Sequence, residues 1–207
     1  MAVRDGERTK GAILTAAEDL FARQGFDGTS MQQIGEAAGV ARSTPAYFFR
    51  SKEALYDEVL ARVVARAEEA LAAGRHQGEE RSPDDAAASY VNALVDLLSR
   101  DQNLLCLVQR ESLGDGNRVA PFLGRLAEEA VEVFTPAAEA AGISPHRLVL
   151  DMVALSWYPL AHEHTLLPAL GMKPRKPAFL DEQKRHLADL LHALTRGGGR
   201  SPEHVPR

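Results

Sequence analysis

Four side chains with hydrogen-bonding capacity, Arg42, Ser43, Thr44 and Tyr47, fall close together in the stretch GVARSTPAYFFRSKEAL, residues 39–55. An arginine fork pairs two ways with guanine, hydroxyls meet bases or phosphates, and a phenol offers a ring face together with a phosphate hydrogen bond. This is groove chemistry rather than core chemistry. Little elsewhere competes with it. There is no phosphate-cradling glycine loop, no Gly-x-Ser-x-Gly elbow and no repeated metal-ligand spacing, so no catalytic residue, metal ligand or cofactor is assigned. His162 and His164, in HEH, stand two apart on a helical pattern and point to different sides. Cys106 is the one cysteine and reads as a small buried apolar residue; an intrachain disulfide and a cysteine metal cluster are both excluded.

The polar cluster needs a scaffold, and the preceding residues supply one. From Arg8 to Gln24, the residues Ile13, Leu14, Ala17, Leu20 and Phe21 line one helical face, and Gly25 ends the helix where a left-handed residue is needed. Thr29 or Ser30 caps a second, short helix whose buried side is Met31, Ile34 and Ala38, ending at Gly39. Helix, glycine turn, helix is the layout of a helix-turn-helix, whose second helix enters a DNA major groove. That helix is placed at residues 41–47. Pro45 lies inside it. In a first turn its missing N–H has no intrahelical partner to lose, whereas a start at Gly39 would cost roughly 3 kcal/mol. The proline therefore favours a late start, with Ser43 or Arg42 as cap. At least one of Phe48 and Phe49 is expected to pack against Phe21, Ile34 and Leu55.

Beyond this segment almost every stretch repeats apolar residues at three and four, and no alternating strand appears, so the fold class is all-α. Ser51 caps a long helix expected to end at Gly74, ahead of the polar linker RHQGEERSPDD. Further helices are expected at about residues 83–100, 102–113, 119–141, 145–169 and 179–195. Pro136 and Pro159 sit inside long helical patterns and should kink or break them. The chain has 207 residues, 45% of them apolar, and a net charge of -5. Residues 1–53 hold seven Lys/Arg and seven Asp/Glu, so all the net acidity belongs to residues 54–207. Any contact with nucleic acid must then be local. No window reaches the roughly 18 apolar residues of a membrane span, and MAVRDGERTKG lacks the apolar centre of a signal peptide. A cytoplasmic protein with no membrane partner is expected.

The run ILTAAEDLFARQGFDGTSMQQIGEAAGVARSTPAYFFRSKEALYDEVL resembles the N-terminal domain of the TetR (tetracycline repressor-like) family of transcriptional regulators. The resemblance rests on Ala16-Ala17 before Leu20-Phe21, on Gly25-Phe26, Thr29-Ser30, Ile34, Ala38-Gly39-Val40, Thr44 and Phe49, and on SKEAL at 51–55. It implies an all-α homodimer: an N-terminal three-helix domain with helix-turn-helix at 1–53, then a larger helical effector-binding and dimerisation domain at 54–196. Residues 197–207, RGGGRSPEHVPR from Arg196 on, read as a flexible tail. The implied partners are double-stranded DNA carrying an inverted-repeat operator, a small-molecule effector and a second copy of the chain. Carried over residue by residue, Arg42, Ser43, Thr44 and Tyr47 fall in the recognition helix, Thr29 and Ser30 near phosphate, and Lys52 against the DNA backbone. Two positions depart from the pattern: Ala41 replaces a serine cap, and Pro45-Ala46 replace an apolar residue and a tyrosine. Ala46 is therefore left outside the site, and Tyr47 is expected to substitute.

In the acidic part, DMVALSWYPLAHEHTLLPALG places Met152, Trp157, Tyr158 and Pro159 midway along a helix. With Cys106, Gln109, Phe122 and Phe134 these side chains are candidates for lining an effector pocket, and equally for ordinary core or dimer surface. Phe179, Leu180, Leu187, Leu190, Leu191 and Leu194 give the last helix an apolar stripe that needs covering, by a second copy or by the chain's own core. The alternative to a DNA-binding regulator is a helical small-molecule carrier or enzyme whose N-terminal helices merely complete a bundle.

Overall fold

A computed structural model describes residues 2–80, 83–114 and 116–197. The described residues form ten helices and no strand, as the apolar periodicity requires: α1 (Ala2–Gln24), α2 (Met31–Ala37), α3 (Thr44–Phe48), α4 (Lys52–Glu79), α5 (Pro83–Arg100), α6 (Gln102–Leu113), α7 (Ala120–Ala141), α8 (Pro145–Ala161), α9 (Leu166–Ala169) and α10 (Pro177–Gly197). They fall into two compact units, Met1–Arg66 with Gln102–Leu123, and Ala67–Asp101 with Gly124–Arg207. The tail expected at 197–207 lies, from residue 198 on, outside the described residues.

In the first unit, Ile13, Ala17 and Phe21 of α1 are fully buried with Ile34 of α2 and Leu55 and Val59 of α4. Gly25 adopts φ 78° and returns its N–H to the Phe21 carbonyl at 2.9 Å, which closes α1 where the sequence indicated. Ser51 caps α4, its Oγ accepting from the Ala54 N–H at 3.2 Å. Glu18 is buried on α1, and Arg66 answers it with two donors, at 3.0 and 2.7 Å. A buried carboxylate of this kind is tolerated only when its charge and lone pairs are met.

The second unit packs α5 against α8 and α10. Its core includes Tyr90, Val91, Val95, Phe134, Leu148, Met152, Leu187 and Leu191. Two helix ends in this part of the chain differ from the sequence expectation. Gly74 does not end α4, which continues to Glu79. The reason is steric: a Cβ at Gly74 would stand 2.4 Å from Ala93 Cβ, and one at Gly78 2.6 Å from Ala86 Cα. Both glycines let α5 approach closely, so Gly74 is not the expected stop and Gly78 is helical rather than part of a linker. Conversely, the helix expected over 145–169 ends at Ala161, and a turn separates it from the single turn of α9. Pro159 stays within α8. Having no N–H, it frees the Leu155 carbonyl four residues earlier, and Gln183 Nε2 of α10 donates to that oxygen at 3.0 Å. Pro136 likewise lies inside an unbroken α7.

Candidate nucleic-acid interface

The frame of the site is α2, the turn at Gly39 and α3. Ser30 caps α2 in a reciprocal box: its Oγ accepts from the Gln33 N–H at 3.2 Å, and Gln33 Oε1 accepts from the Ser30 N–H at 2.8 Å. Gly39, at φ 69°, reverses the chain, and the Val40 N–H returns to the Gly35 carbonyl at 3.0 Å. α3 then starts late, at Thr44 with Ser43 as N-cap, so Pro45 falls in the first turn and is buried. This is the start that the proline demanded, and it trims the expected 41–47 helix at its front. Gly35 sets the spacing of the two helices. A Cβ there would lie 3.1 Å from both the Ala41 carbonyl oxygen and Arg42 Cα, and 3.2 Å from Pro45 Cδ. Phe49 is buried just after α3, while Phe48 is half-buried.

Over this frame the groove-type side chains point outward. Tyr47 is 86% exposed, its ring edge-on to Phe48 at 5.4 Å. Arg42 and Ser43 are exposed and Thr44 is half-buried. The Ser43 hydroxyl makes no capping hydrogen bond, so its donor and acceptor capacity remains available. Arg42 is held by the Glu36 carboxylate across the turn, in an ion pair open to solvent on both sides. Arg50, exposed between α3 and α4, adds a cation outside the expected site residues. Its position between a buried Phe49 and the Ser51 cap was the available signal.

Two of the residues expected at the DNA backbone have partners within the protein. Thr29 is 2% exposed and donates its hydroxyl to the Gly25 carbonyl at 2.8 Å, so in the free protein that hydroxyl is engaged within the scaffold. Lys52 donates to the carbonyls of Phe26 at 2.9 Å and Thr29 at 3.1 Å, and its ammonium lies 4.2 Å from the Phe26 ring centroid. It staples the start of α4 to the loop before α2. Two of its three donors are thereby spent.

Further residues fix that loop. Arg110 of α6 donates to the carbonyls of Ala22 at 3.0 Å and Arg23 at 2.7 Å, capping the C-terminus of α1 with a charge that suits the helix dipole. Arg118 lies 5.0 Å from the Phe26 ring centroid and pairs with Asp57 at 3.1 Å. Phe21 and Phe26 pack edgewise on Tyr56, at 4.9 and 5.2 Å between ring centroids. The Tyr56 hydroxyl donates to Glu111 Oε1 at 2.7 Å. Burial first, then the Glu111 acceptor, pushes the Tyr56 phenol pKa upward.

The seven effector-pocket candidates divide between the two units. Cys106, Gln109 and Phe122 belong to the first unit, and Phe134, Met152, Trp157 and Tyr158 to the second. Phe134 and Met152 fill the core, with Phe134 edge-on to Tyr90 at 5.9 Å. Tyr158 is largely exposed and stacks on His162 at 4.2 Å. Trp157 is half-buried. Three clefts of the second unit are lined by other residues. No group of three His, Cys, Asp or Glu among the described residues is placed to hold a metal ion. No helix among them is long and apolar enough to cross a membrane.

Comparison with known proteins bears on the same segment. Residues 13–59 match the model of the bacterial regulatory proteins of the tetR family. The transcriptional repressor NicS of Pseudomonas putida is 31% identical over 179 residues, 82% of this chain and 84% of that protein. The transcriptional regulator RutR of Escherichia coli is 51% identical over 55 residues, a match spanning 27% of this chain and only 26% of RutR. The crystal structure of AibR, in complex with isovaleryl coenzyme A and operator DNA, superposes with a TM-score of 0.68 at 16% identity, covering 88% of this chain and 97% of AibR. At that identity the likeness concerns the fold.

Proposed function

This chain belongs to the tetR family of bacterial regulatory proteins, and from that premise we propose that it is a sequence-specific DNA-binding transcriptional regulator, a repressor released from its operator by a small molecule. The observation that carries the reading is the exposed face of α3. Arg42, Ser43 and Tyr47 present donors, an acceptor and a ring from a turn locked by Gly35, Pro45 and Phe49. Residues 1–53 supply the reading head, and 54–196 supply effector binding and dimerisation. The reading assigns no catalytic step and a cytoplasmic location.

A homodimer through α8 and α10 is supported by apolar side chains that the second unit's own core leaves uncovered: Leu150 and Val153, three apart on α8, and Leu194 on α10 are exposed. Two reading heads about one DNA turn apart, roughly 34 Å, would read an inverted repeat with their affinities combined. An effector that prefers a different head spacing lowers DNA affinity, and by linkage DNA lowers effector affinity by the same factor.

The test is fluorescence anisotropy on duplexes selected from a random pool by the full chain, titrated at two salt concentrations with scrambled competitor. Competitor-resistant binding that weakens with salt supports the reading. Selection that returns no preferred sequence, or binding equal to that of scrambled duplex, overturns it.

A further inference from the structure

In the second unit, α9 and the segment joining it to α10 border an open cleft of about 530 Å³, inside the size range of small-molecule sites. We propose that this cleft binds a phosphate monoester carried on a short apolar group. The cationic side is set by Lys173, Arg175 and Lys176, which line the cleft against a single carboxylate, Glu163. That carboxylate is already committed. Arg175 Nε donates to Glu163 Oε2 at 2.6 Å, and Nη1 donates to the Ser99 carbonyl at 3.0 Å. The remaining nitrogen, Nη2, is buried and has no hydrogen-bond partner. The two hydrogen bonds fix the guanidinium in place, and its charge stays at the cleft wall beside the two lysines.

Charge selects the head group. With Glu163 offset by Arg175, the two lysines leave the cleft with two positive charges, and both are exposed without an ion pair to any described carboxylate. A phosphate monoester carries about -1.5 to -2 at neutral pH and three acceptor oxygens, which matches the two ammoniums; a carboxylate would leave a charge over. The apolar walls select the rest of the ligand. Pro168, Met172 and Pro174 line the cleft, and Met172 together with neighbouring Leu170 is exposed. A bare phosphate ion would leave that surface and most of the volume unused.

The site is independent of DNA binding and is tested without DNA. Isothermal titration calorimetry on the full chain would compare octyl phosphate, kept below its aggregation concentration, with inorganic phosphate, octyl glucoside and phosphatidylglycerol vesicles. The expected result is saturable binding of one octyl phosphate per chain, at least tenfold weaker binding of inorganic phosphate, and no saturable binding of octyl glucoside. The double substitution K173E/K176E should weaken octyl phosphate at least tenfold with an unchanged melting temperature, and K173Q/K176Q should weaken it less. The proposal is overturned if octyl phosphate fails to saturate at millimolar concentration, if both double variants bind it as the parent does, or if vesicles bind and octyl phosphate does not compete with them.

Discussion

Arg42 meets a carboxylate before it meets DNA. Its guanidinium pairs with Glu36 in the free protein, and both partners are exposed, so the pair itself contributes little to stability. If Arg42 reads DNA as proposed, its guanidinium must exchange Glu36 for a base edge or a phosphate, and the displaced carboxylate is left facing a polyanion. Replacing Arg42 with Ala should therefore weaken operator binding by about 1–3 kcal/mol and relax preference at one position of each half-site. Glu36→Gln should act in the opposite direction, tightening binding several-fold at low salt with a smaller gain at high salt. Anisotropy titrations of both variants over a salt series check this; a Glu36→Gln protein that binds more weakly would show that the pair positions Arg42 rather than restraining it. The outward residues were legible because residue type and the place of Pro45 fix them. The inward ones were not. Thr29 and Lys52 are held by backbone carbonyls of Gly25, Phe26 and Thr29, and a carbonyl leaves no mark in a side-chain pattern.

Between elements, distances of a few tenths of an ångström decide what the reading head can be. Gly35 is the point where α2 passes the turn into α3, and the atoms facing its missing side chain are the Ala41 carbonyl, Arg42 Cα and the Pro45 ring. Gly35→Ala would ordinarily favour a helix interior by up to about 1 kcal/mol. Here the added methyl presses on backbone that carries Arg42, so a cost of about 1–3 kcal/mol from overpacking should dominate. Urea unfolding should show the loss, and operator affinity should fall further than stability alone explains, because α3 is displaced. Equal or higher stability with unchanged affinity would mean that the turn yields freely. Helix existence was legible throughout from apolar periodicity, whereas helix ends were legible only where a local cap decides them. Ser30, Gly25 and Gly39 ended or began helices as read. Gly74 did not, since what it and Gly78 accommodate is α5, from a later stretch of the chain. Arg110 could not be found from sequence at all, because its partners, the Ala22 and Arg23 carbonyls, lie 88 and 87 residues away.

At the scale of the whole molecule, two buried phenols and one uncovered face make separate demands. Tyr56 and Tyr90 are both buried, and burial is the leading cause that raises each phenol pKa, seconded by Glu111 for Tyr56 and by Glu129 for Tyr90. A group whose folded pKa is raised gives its full stabilisation below the unfolded value, near 10, and loses it as pH climbs toward the folded one. Unfolding midpoints should therefore fall above about pH 10, and the pair Tyr56→Phe with Tyr90→Phe should flatten that fall. The division into units was only partly legible: α6 belongs with Met1–Arg66, although the chain reaches it after α5 of the second unit. The uncovered face lies on α8, where Leu150 is 60% and Val153 38% exposed, three residues apart on one side of the helix, with half-buried Trp157 next along that side. Neither leucine nor valine serves the chain's own core, so Leu150→Glu with Val153→Glu should leave the monomer folded. If that face is where two copies meet, buried carboxylates facing one another will drive them apart. Sedimentation should then show a monomer where the parent is a dimer, and operator affinity should drop by about a hundredfold or more, because each head then binds without its partner's effective concentration. A double variant that keeps the parent's mass and its operator affinity would remove α8 from the interface. A parent that sediments as a monomer at micromolar concentration would remove the dimer itself, and with it the reason to expect an inverted repeat.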